Sequence, residues 1–213
     1  MDGVDTAMYP KVFKRLLDIL LSLILMPIVM VVILICGVFI FLEDRGPIFY
    51  CGLRLGKKGT TFKMVKLRTM KVNAPDIRNA DGSTFNSSSD QRLTQVGKLF
   101  RKTSLDELPQ LFNVLIGNMS FVGPRPDLPE HINYYEDDEI KKLDVLPGIT
   151  GYNQAYFRNS LEWKQRLIND LYYVQNISFV LDLKILFATI IGVLRRKGIY
   201  SSREQLNKSK IEG

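Results

Sequence analysis

The stretch Leu16 to Leu42, LLDILLSLILMPIVMVVILICGVFIFL, decides the fold. It is 27 residues long and carries one charge, Asp18. That length suits the hydrocarbon core of a bilayer. It is too long for the core of a signal peptide, and no small-residue cleavage site follows it. A helix buried inside a soluble domain is rarely apolar on every face over such a length. Pro27 divides the run, with 11 residues before it and 15 after. Proline in a helix removes the bond to the carbonyl of residue 23 and kinks the axis. At 1.5 Å per residue each arm reaches roughly 17–22 Å, about one leaflet rather than the roughly 30 Å of a hydrocarbon core.

The flanks bear on how the run meets the membrane. Lys11, Lys14 and Arg15 precede it, and Arg45, Arg54, Lys57 and Lys58 lie beyond it. Basic residues on both sides favour two cytoplasmic ends, although Glu43 and Asp44 dilute the signal. A broken helix that enters and leaves by one face meets both observations. A kinked spanning helix is the alternative, since membrane helices tolerate proline.

From Gly46 onward the composition is that of a soluble domain. The 213 residues are 46% hydrophobic and 24% charged, enough for one domain with a core. The net charge is +7, with a pI near 9.4. Such a balance suits nucleic acid, an anionic membrane surface or phosphorylated substrates. A nucleic-acid binder would want aromatic or arginine platforms on a basic stripe, and none is found. Cys36 and Cys51 lack metal-ligand spacing and fit unpaired thiols of a reducing compartment. The single histidine, His131, has no nucleophile elbow to serve and reads as a surface or capping residue.

The chemistry concentrates in Ser104 to Pro126, SLDELPQLFNVLIGNMSFVGPRP. Asp106 and Glu107 stand side by side, shortly after Arg101 and Lys102. A rigid Gly123-Pro124-Arg125-Pro126 turn then holds another arginine. Arginines neutralise phosphate oxygens, and a carboxylate can bind a divalent metal or attack phosphorus. The same residues also read as a capping box, Ser104-x-x-Glu107, ahead of an apolar run. On these residues alone both readings stand.

Pro47 to Tyr50 and Phe62 to Met70 read as short strands around a Gly52–Gly59 turn region. Lys63, Lys66 and Arg68 on the second form a possible wall of a phosphate site or a solvated face. Residues 73–91 are a polar loop long enough to serve as a substrate lid. Arg92 to Arg101 has helical spacing, and a further helix is expected to end at Gly117. Ser120 to Val122 reads as a strand. Ser160 is placed to cap a helix reaching about Gln175. Val180 to Leu194 is apolar but, at about 22 Å, short for a span. It suits the interface, with Arg195, Arg196 and Lys197 against headgroups.

These residues together resemble the small bacterial sugar transferases, the monotopic phosphoglycosyl transferases acting on polyprenol phosphate. The matching motifs are Tyr9 to Arg15 with the apolar run, Phe62-Lys63, Lys66 to Met70, Ser104 to Leu108, Asn113 to Leu115 and Met119 to Pro126. Pro147 to Gly151, Asp170 to Tyr173 and Asp182 to Leu186 extend the likeness, which covers roughly residues 9–198. The resemblance implies a helix-rich α/β fold with little sheet. It implies a re-entrant membrane helix broken at Pro27, interfacial amphipathic helices and a catalytic domain on the cytoplasmic face of the bacterial inner membrane. Three regions follow: 1–43 with the membrane helix, 44–200 catalytic, and 201–213 a polar tail.

The activity so implied moves a sugar 1-phosphate from a UDP-sugar, here expected to be N-acetylated, to undecaprenyl phosphate or a similar polyprenol phosphate. UMP is released. By the same likeness Asp106 is the nucleophile and Glu107 its partner, with Mg²⁺ on the two carboxylates. Arg101 and Arg125 match phosphate-site arginines, and Arg158 is a further anion contact. Where the family often has Ser-Pro at the helix break, this chain has Met26-Pro27. The competing class, a membrane-surface adaptor on anionic lipid, would not need Asp106, Glu107 and Arg125 together.

Overall fold

The computed structural model describes residues 9–78, 85, 87, 89–157 and 161–195. A π-helical turn, Tyr9–Phe13, leads into α1 (Lys14–Asp44), a single helix with Pro27 inside it. Its apolar residues face outward as well as inward: Leu23, Ile24, Ile28, Val31, Leu34, Ile35, Val38 and Phe39 are all exposed. Covering one such side chain is worth about 1.5–3 kcal/mol. A lipid environment around α1 would remove that cost, and among the described residues no other helix is long and apolar enough to cross a membrane.

The buried positions of α1 fall in two patches. Asp18 and Ser22 form one, and Val29, Ile33, Cys36, Gly37 and Ile40 form the other. Leu23, Ile24, Pro27 and Ile28 between them are exposed. Both ends of the helix are tied to the same domain. At the N-terminal end Arg15 donates to the carbonyls of Val114 and Leu115, at 2.6 and 2.9 Å. Lys14 pairs with Asp182, and the Phe121 N–H donates to Asp18 at 3.1 Å. At the other end the Gln95 and Val96 N–H groups donate to the Glu43 carboxylate at 2.6 and 3.1 Å. Asp44 takes two guanidinium nitrogens of Arg68.

The domain is built of small pieces. Strands β1 (Phe49–Leu55) and β2 (Thr61–Leu67) form an antiparallel hairpin with Tyr50 opposite Lys66 and Gly52 opposite Met64. Gly52 is therefore inside a strand and not in the turn, which lies at Gly56–Thr60. Helix α2 (Gln95–Thr103) starts at Thr94, whose hydroxyl accepts from the Gly97 N–H. A 3-10 turn, Leu105–Glu107, follows, then α3 (Gln110–Ile116). Helix α3 stops at Gly117 as expected, because φ of +96° there is open to glycine and strained for other residues.

Strands β3 (Ser120–Val122) and β4 (Gly148–Thr150) pair in parallel. Then come α4 (Tyr152–Tyr156), α5 (Trp163–Gln175) and α6 (Phe179–Arg195). Ser160, the expected cap of α5, lies outside the described residues, and Glu162 is the N-cap. Helix α6 buries Asp182 and Ile185 and exposes Phe179, Val180, Leu183, Phe187, Ile190 and Leu194. Among the described residues the result is helix-rich with two small sheets.

Three apolar clusters hold these pieces. One joins α1 to Leu67, Phe100 and Leu111. A second joins Phe62 and Met64 to Val114 and Met119. The third joins Val122, Tyr173 and Ile185. His131 corrects its surface reading: it is buried, with its ring 5.0 Å from that of Trp163. Cys36 and Cys51 are unpaired, as the spacing suggested.

Candidate active site

The site is built where the chain reverses after α2. Ser104 adopts a left-handed conformation, φ +59°, and its N–H closes the end of α2 on Arg101. This overrides the capping box, since the Ser104 hydroxyl makes no cap. The left-handed turn swings the next residues inward, so that Asp106 is 8% exposed. Among the described residues its carboxylate accepts no hydrogen bond and forms no ion pair. With no protein donor to satisfy it, this carboxylate is left open to a ligand.

Cations surround this carboxylate. Lys66, near the end of β2, places Nζ 2.7 Å from Glu107 Oε1. The hairpin is positioned for this by Asn113 of α3. Its Oδ1 accepts from the Val65 N–H at 3.0 Å and its Nδ2 donates to the Lys63 carbonyl at 2.8 Å. Arg125 stands 3.4 Å from the same Glu107 oxygen. Arg101, in the last turn of α2, donates from Nε to Thr69 Oγ1 at 3.0 Å and acts on Asp106 through its charge.

The two carboxylates are driven apart in acidity. Burial pushes the Asp106 carboxyl up to about 6; Lys66 opposes this and the Glu107 charge adds to it. Burial works on Glu107 in the same sense, but Lys66 and Arg125 outweigh it and hold Glu107 near 2. At neutral pH both are ionised, Asp106 with the more basic and more nucleophilic oxygen.

The turn that presents Arg125 is clamped on both sides. Gly123 donates to Thr150 and Gly148 donates to Pro124, both at 2.9 Å. A Cβ at Gly123 would lie 2.4 Å from the Leu146 carbonyl oxygen, so the crossing of the two segments demands glycine. After the turn, the Asp127 carboxylate accepts from Lys142 at 2.6 Å, Tyr135 at 2.8 Å and Trp163 at 3.3 Å. Lys142 is itself buried and reaches Asp170 at 2.9 Å. Burial opposes ionisation of Asp127, but Lys142 and the hydrogen bonds hold its carboxyl far below the ordinary range.

Asp106, Glu107, Arg101 and Arg125 are thus brought together, while Arg158 lies outside the described residues. Of the three basic β2-side residues, Lys66 alone reaches the carboxylates. Lys63 is exposed, and Arg68 is buried against Asp44 at the foot of α1. The Asp127–Lys142–Asp170 cluster was not read from the sequence. Asp127 directly follows Pro126, which is a faint signal, but Lys142 sits in a charged run like any surface lysine. The described part of the 73–91 loop lines an open cleft of about 490 Å³ with Phe85 against Arg92.

Two adjacent carboxylates match the way magnesium is held, by one or two protein carboxylates completed by substrate phosphates and water. Among the described residues no group of three His, Cys, Asp or Glu side chains forms a full cage. The donor set therefore suits an ion that arrives with a diphosphate.

The family model described as bacterial sugar transferase matches residues 9–196. The sugar transferase EpsL of Bacillus subtilis is 40% identical over 188 residues, covering 88% of this chain and 90% of that protein. The undecaprenyl-phosphate galactose phosphotransferase of Salmonella typhimurium is 38% identical over 206 residues, covering 89% of this chain. The UDP-N-acetylgalactosamine-undecaprenyl-phosphate N-acetylgalactosaminephosphotransferase of Aeromonas hydrophila is 37% identical over 188 residues, covering 85% of this chain. This chain spans 42% and 43% of the length of the latter two proteins.

Proposed function

The chain belongs to the bacterial sugar transferase family, and we propose that it transfers a sugar 1-phosphate from a UDP-sugar to undecaprenyl phosphate, releasing UMP. The observation that carries this reading is Asp106: a buried carboxylate with no hydrogen-bond donor among the described residues, set among Lys66, Arg101 and Arg125. The names of the two longer relatives supply the substrates.

In this reading an Asp106 oxygen attacks the β-phosphorus, the one bearing the sugar. A P–O bond to Asp106 forms, the bond to the UMP oxygen breaks, and UMP leaves with the electron pair. Polyprenol phosphate then attacks the same phosphorus and Asp106 departs as carboxylate. The mixed anhydride splits one hard transfer into two easier ones. Arg101, Arg125 and Lys66 offset the repulsion between carboxylate and diphosphate. Asp106 and Glu107, with the diphosphate oxygens, would hold Mg²⁺, which supplies further charge neutralisation when bound. Glu107, fixed by Lys66, keeps its negative charge beside the nucleophile and so raises its basicity.

The membrane placement follows the same logic. A re-entrant α1, bent at Pro27 with both termini on the cytoplasmic face of the inner membrane, is supported by its anchorage. Lys14, Arg15 and Asp18 at one end, and Glu43 and Asp44 at the other, bind one polar domain. One polar domain holding both ends of the helix supports entry and exit by a single face. The exposed apolar face of α6 is then the second lipid contact.

UMP release by the purified protein, with and without undecaprenyl phosphate and across a panel of UDP-sugars, tests the reading. An N-acetylated amino sugar is expected to be the best donor, in line with the name of the Aeromonas relative. Radiolabel from the sugar 1-phosphate retained on Asp106 tests the covalent step. Without label, and with kinetics requiring both substrates bound together, direct attack by the lipid phosphate is the better account. Absence of UMP from every donor would leave the adaptor reading.

A further inference from the structure

Arg54 lies near the end of β1, one residue before Leu55. The Leu55 N–H donates to the Asp127 carbonyl at 2.8 Å, which lays the end of β1 beside the turn that carries Arg125. Backbone contacts therefore bring Arg54 next to that turn. On the same face of β1 stand Tyr50 and Gly52. A Cβ at Gly52 would lie 3.2 Å from the Tyr50 hydroxyl and 3.3 Å from Arg54 Nη1, so the two polar groups come together over the buried glycine. Tyr50 is paired across the hairpin with Lys66, the residue that grips Glu107. This face runs from the lysine of the carboxylate pair to a second arginine.

Charge on this face is unbalanced. Among the described residues Arg54 forms no ion pair, and its one side-chain hydrogen bond goes to the neighbouring Leu53 carbonyl at 2.7 Å. Asp127, the nearest carboxylate along the turn, is taken by Lys142, Tyr135 and Trp163. Among the described residues Arg125 pairs with Glu107 alone, at 3.4 Å, and Lys66 already holds that oxygen at 2.7 Å. Burial lowers the affinity of the Arg54 guanidinium for its proton, and the Arg125 and Arg78 charges act in the same sense, opposed in part by Tyr50 and Asp127. An arginine serving only solubility would turn away from like charges into water. Here the fold holds Arg54 within electrostatic reach of Arg125, and among the described residues no carboxylate forms an ion pair with Arg54. Planar guanidinium forks match the oxygens of a phosphate, whose charge of about −2 supplies what is missing.

We propose that Arg54, with Arg125 and the Tyr50 hydroxyl, forms a phosphate-binding site between the end of β1 and the Gly123–Pro126 turn. The ligand is a substrate phosphate, either in the diphosphate of the soluble donor or as the phosphate monoester of the lipid acceptor. Only the identity of that substrate rests on the transferase reading.

Inorganic phosphate is the first probe. At constant ionic strength it should raise the melting temperature of the detergent-solubilised full-length protein. Arg54→Gln should lose that rise while keeping its melting temperature in phosphate-free buffer. A variant that keeps the whole rise overturns the site, as does a wild-type protein that shows no rise. Steady-state UMP release then assigns the source. Arg54→Gln should raise KM roughly tenfold or more for one of the two substrates, with partial recovery in Arg54→Lys. A change confined to undecaprenyl phosphate puts the lipid phosphate on the pair, and one confined to the UDP-sugar puts the donor there. Unchanged kinetics for both overturn the assignment to substrate. A wild-type protein that is stabilised by phosphate yet releases no UMP would sink the transferase reading and leave the phosphate site standing.

Discussion

Lys66 Nζ lies 2.7 Å from Glu107 Oε1, closer than the Arg125 guanidinium at 3.4 Å, so the lysine is the principal holder of the second carboxylate. Lys66 is also the strongest charge acting against the high proton affinity of Asp106. One side chain thus acts on both members of the pair. Lys66→Met should raise the proton affinity of both carboxylates and move the acid limb of the kcat/KM profile to higher pH. The folded state should lose about 1–3 kcal/mol, read from a urea midpoint. A profile that does not move would show that Lys66 only braces the hairpin.

The pH dependence of Asp106 has a definite sign. A carboxyl pushed up to about 6 is ionised above that pH and protonated below it. Turnover should therefore fall about tenfold per pH unit below pH 6. Asp106→Asn should abolish UMP formation even without acceptor, because an amide is a poor nucleophile. Glu107→Gln should impair turnover and leave a residue of activity.

Stability runs the other way for Asp106. Its folded-state affinity for the proton is raised, so its contribution favours the fold at low pH and is lost as pH rises through about 6. Asp106→Asn should therefore be more stable than wild type at pH 8, by about 2 kcal/mol, and nearly equal to it near pH 4. Glu107, held near 2, contributes stability that is full above its ordinary range and lost as pH falls toward 2. Melting temperatures of both variants at pH 4 and pH 8 check the two signs.

Arg125→Ala should reduce turnover by roughly 100-fold and change stability by less than about 0.5 kcal/mol. The side chain is 46% exposed, and the turn is held by backbone bonds from Gly123, Gly148 and Leu55 that the substitution leaves in place. Lys142→Met is the contrast. It strands the buried Asp127 and Asp170, and should cost about 3–5 kcal/mol in a denaturation curve. Loss of stability in step with activity for Arg125→Ala would make that arginine structural.

Topology is open to direct labelling. In a background without Cys36 and Cys51, Asp5→Cys and Gln205→Cys should both resist an impermeant maleimide in intact spheroplasts and react after lysis. Labelling of one end alone from outside would establish a spanning helix. Pro27→Ala restores the bond to the Leu23 carbonyl and should straighten α1, favouring that spanning form.

The sequence by itself determined the elements whose cause is local. Leu16 to Leu42 is one long helix with exposed apolar residues because only Asp18 and Ser22 interrupt its apolar run. Helix α3 stops at Gly117 because glycine accepts φ of +96° there. Asp106 and Glu107 are adjacent by covalent connection, and Pro124 and Pro126 stiffen the turn that carries Arg125. The capping box marks the limit of such reasoning: its pattern is present, but Ser104 in the left-handed region closes α2 instead.

Tertiary structure alone decided which cations meet which carboxylates. Lys66 and Glu107 are 41 residues apart, and nothing near Lys66 distinguishes it from Lys63 or Arg68. Asn113 decides it, by seating the edge of β2 against α3. His131 and Lys142 are buried because Trp163, Asp127 and Asp170 close over them from distant segments. The two ends of α1 are bound to one domain by Arg15, Asp18, Glu43 and Arg68, contacts spanning up to 103 residues. Local patterns fix backbone conformation because neighbours share dihedral and hydrogen-bonding constraints. Charge pairing across the chain depends on which surfaces the apolar clusters bring together, and no short stretch of sequence carries that information.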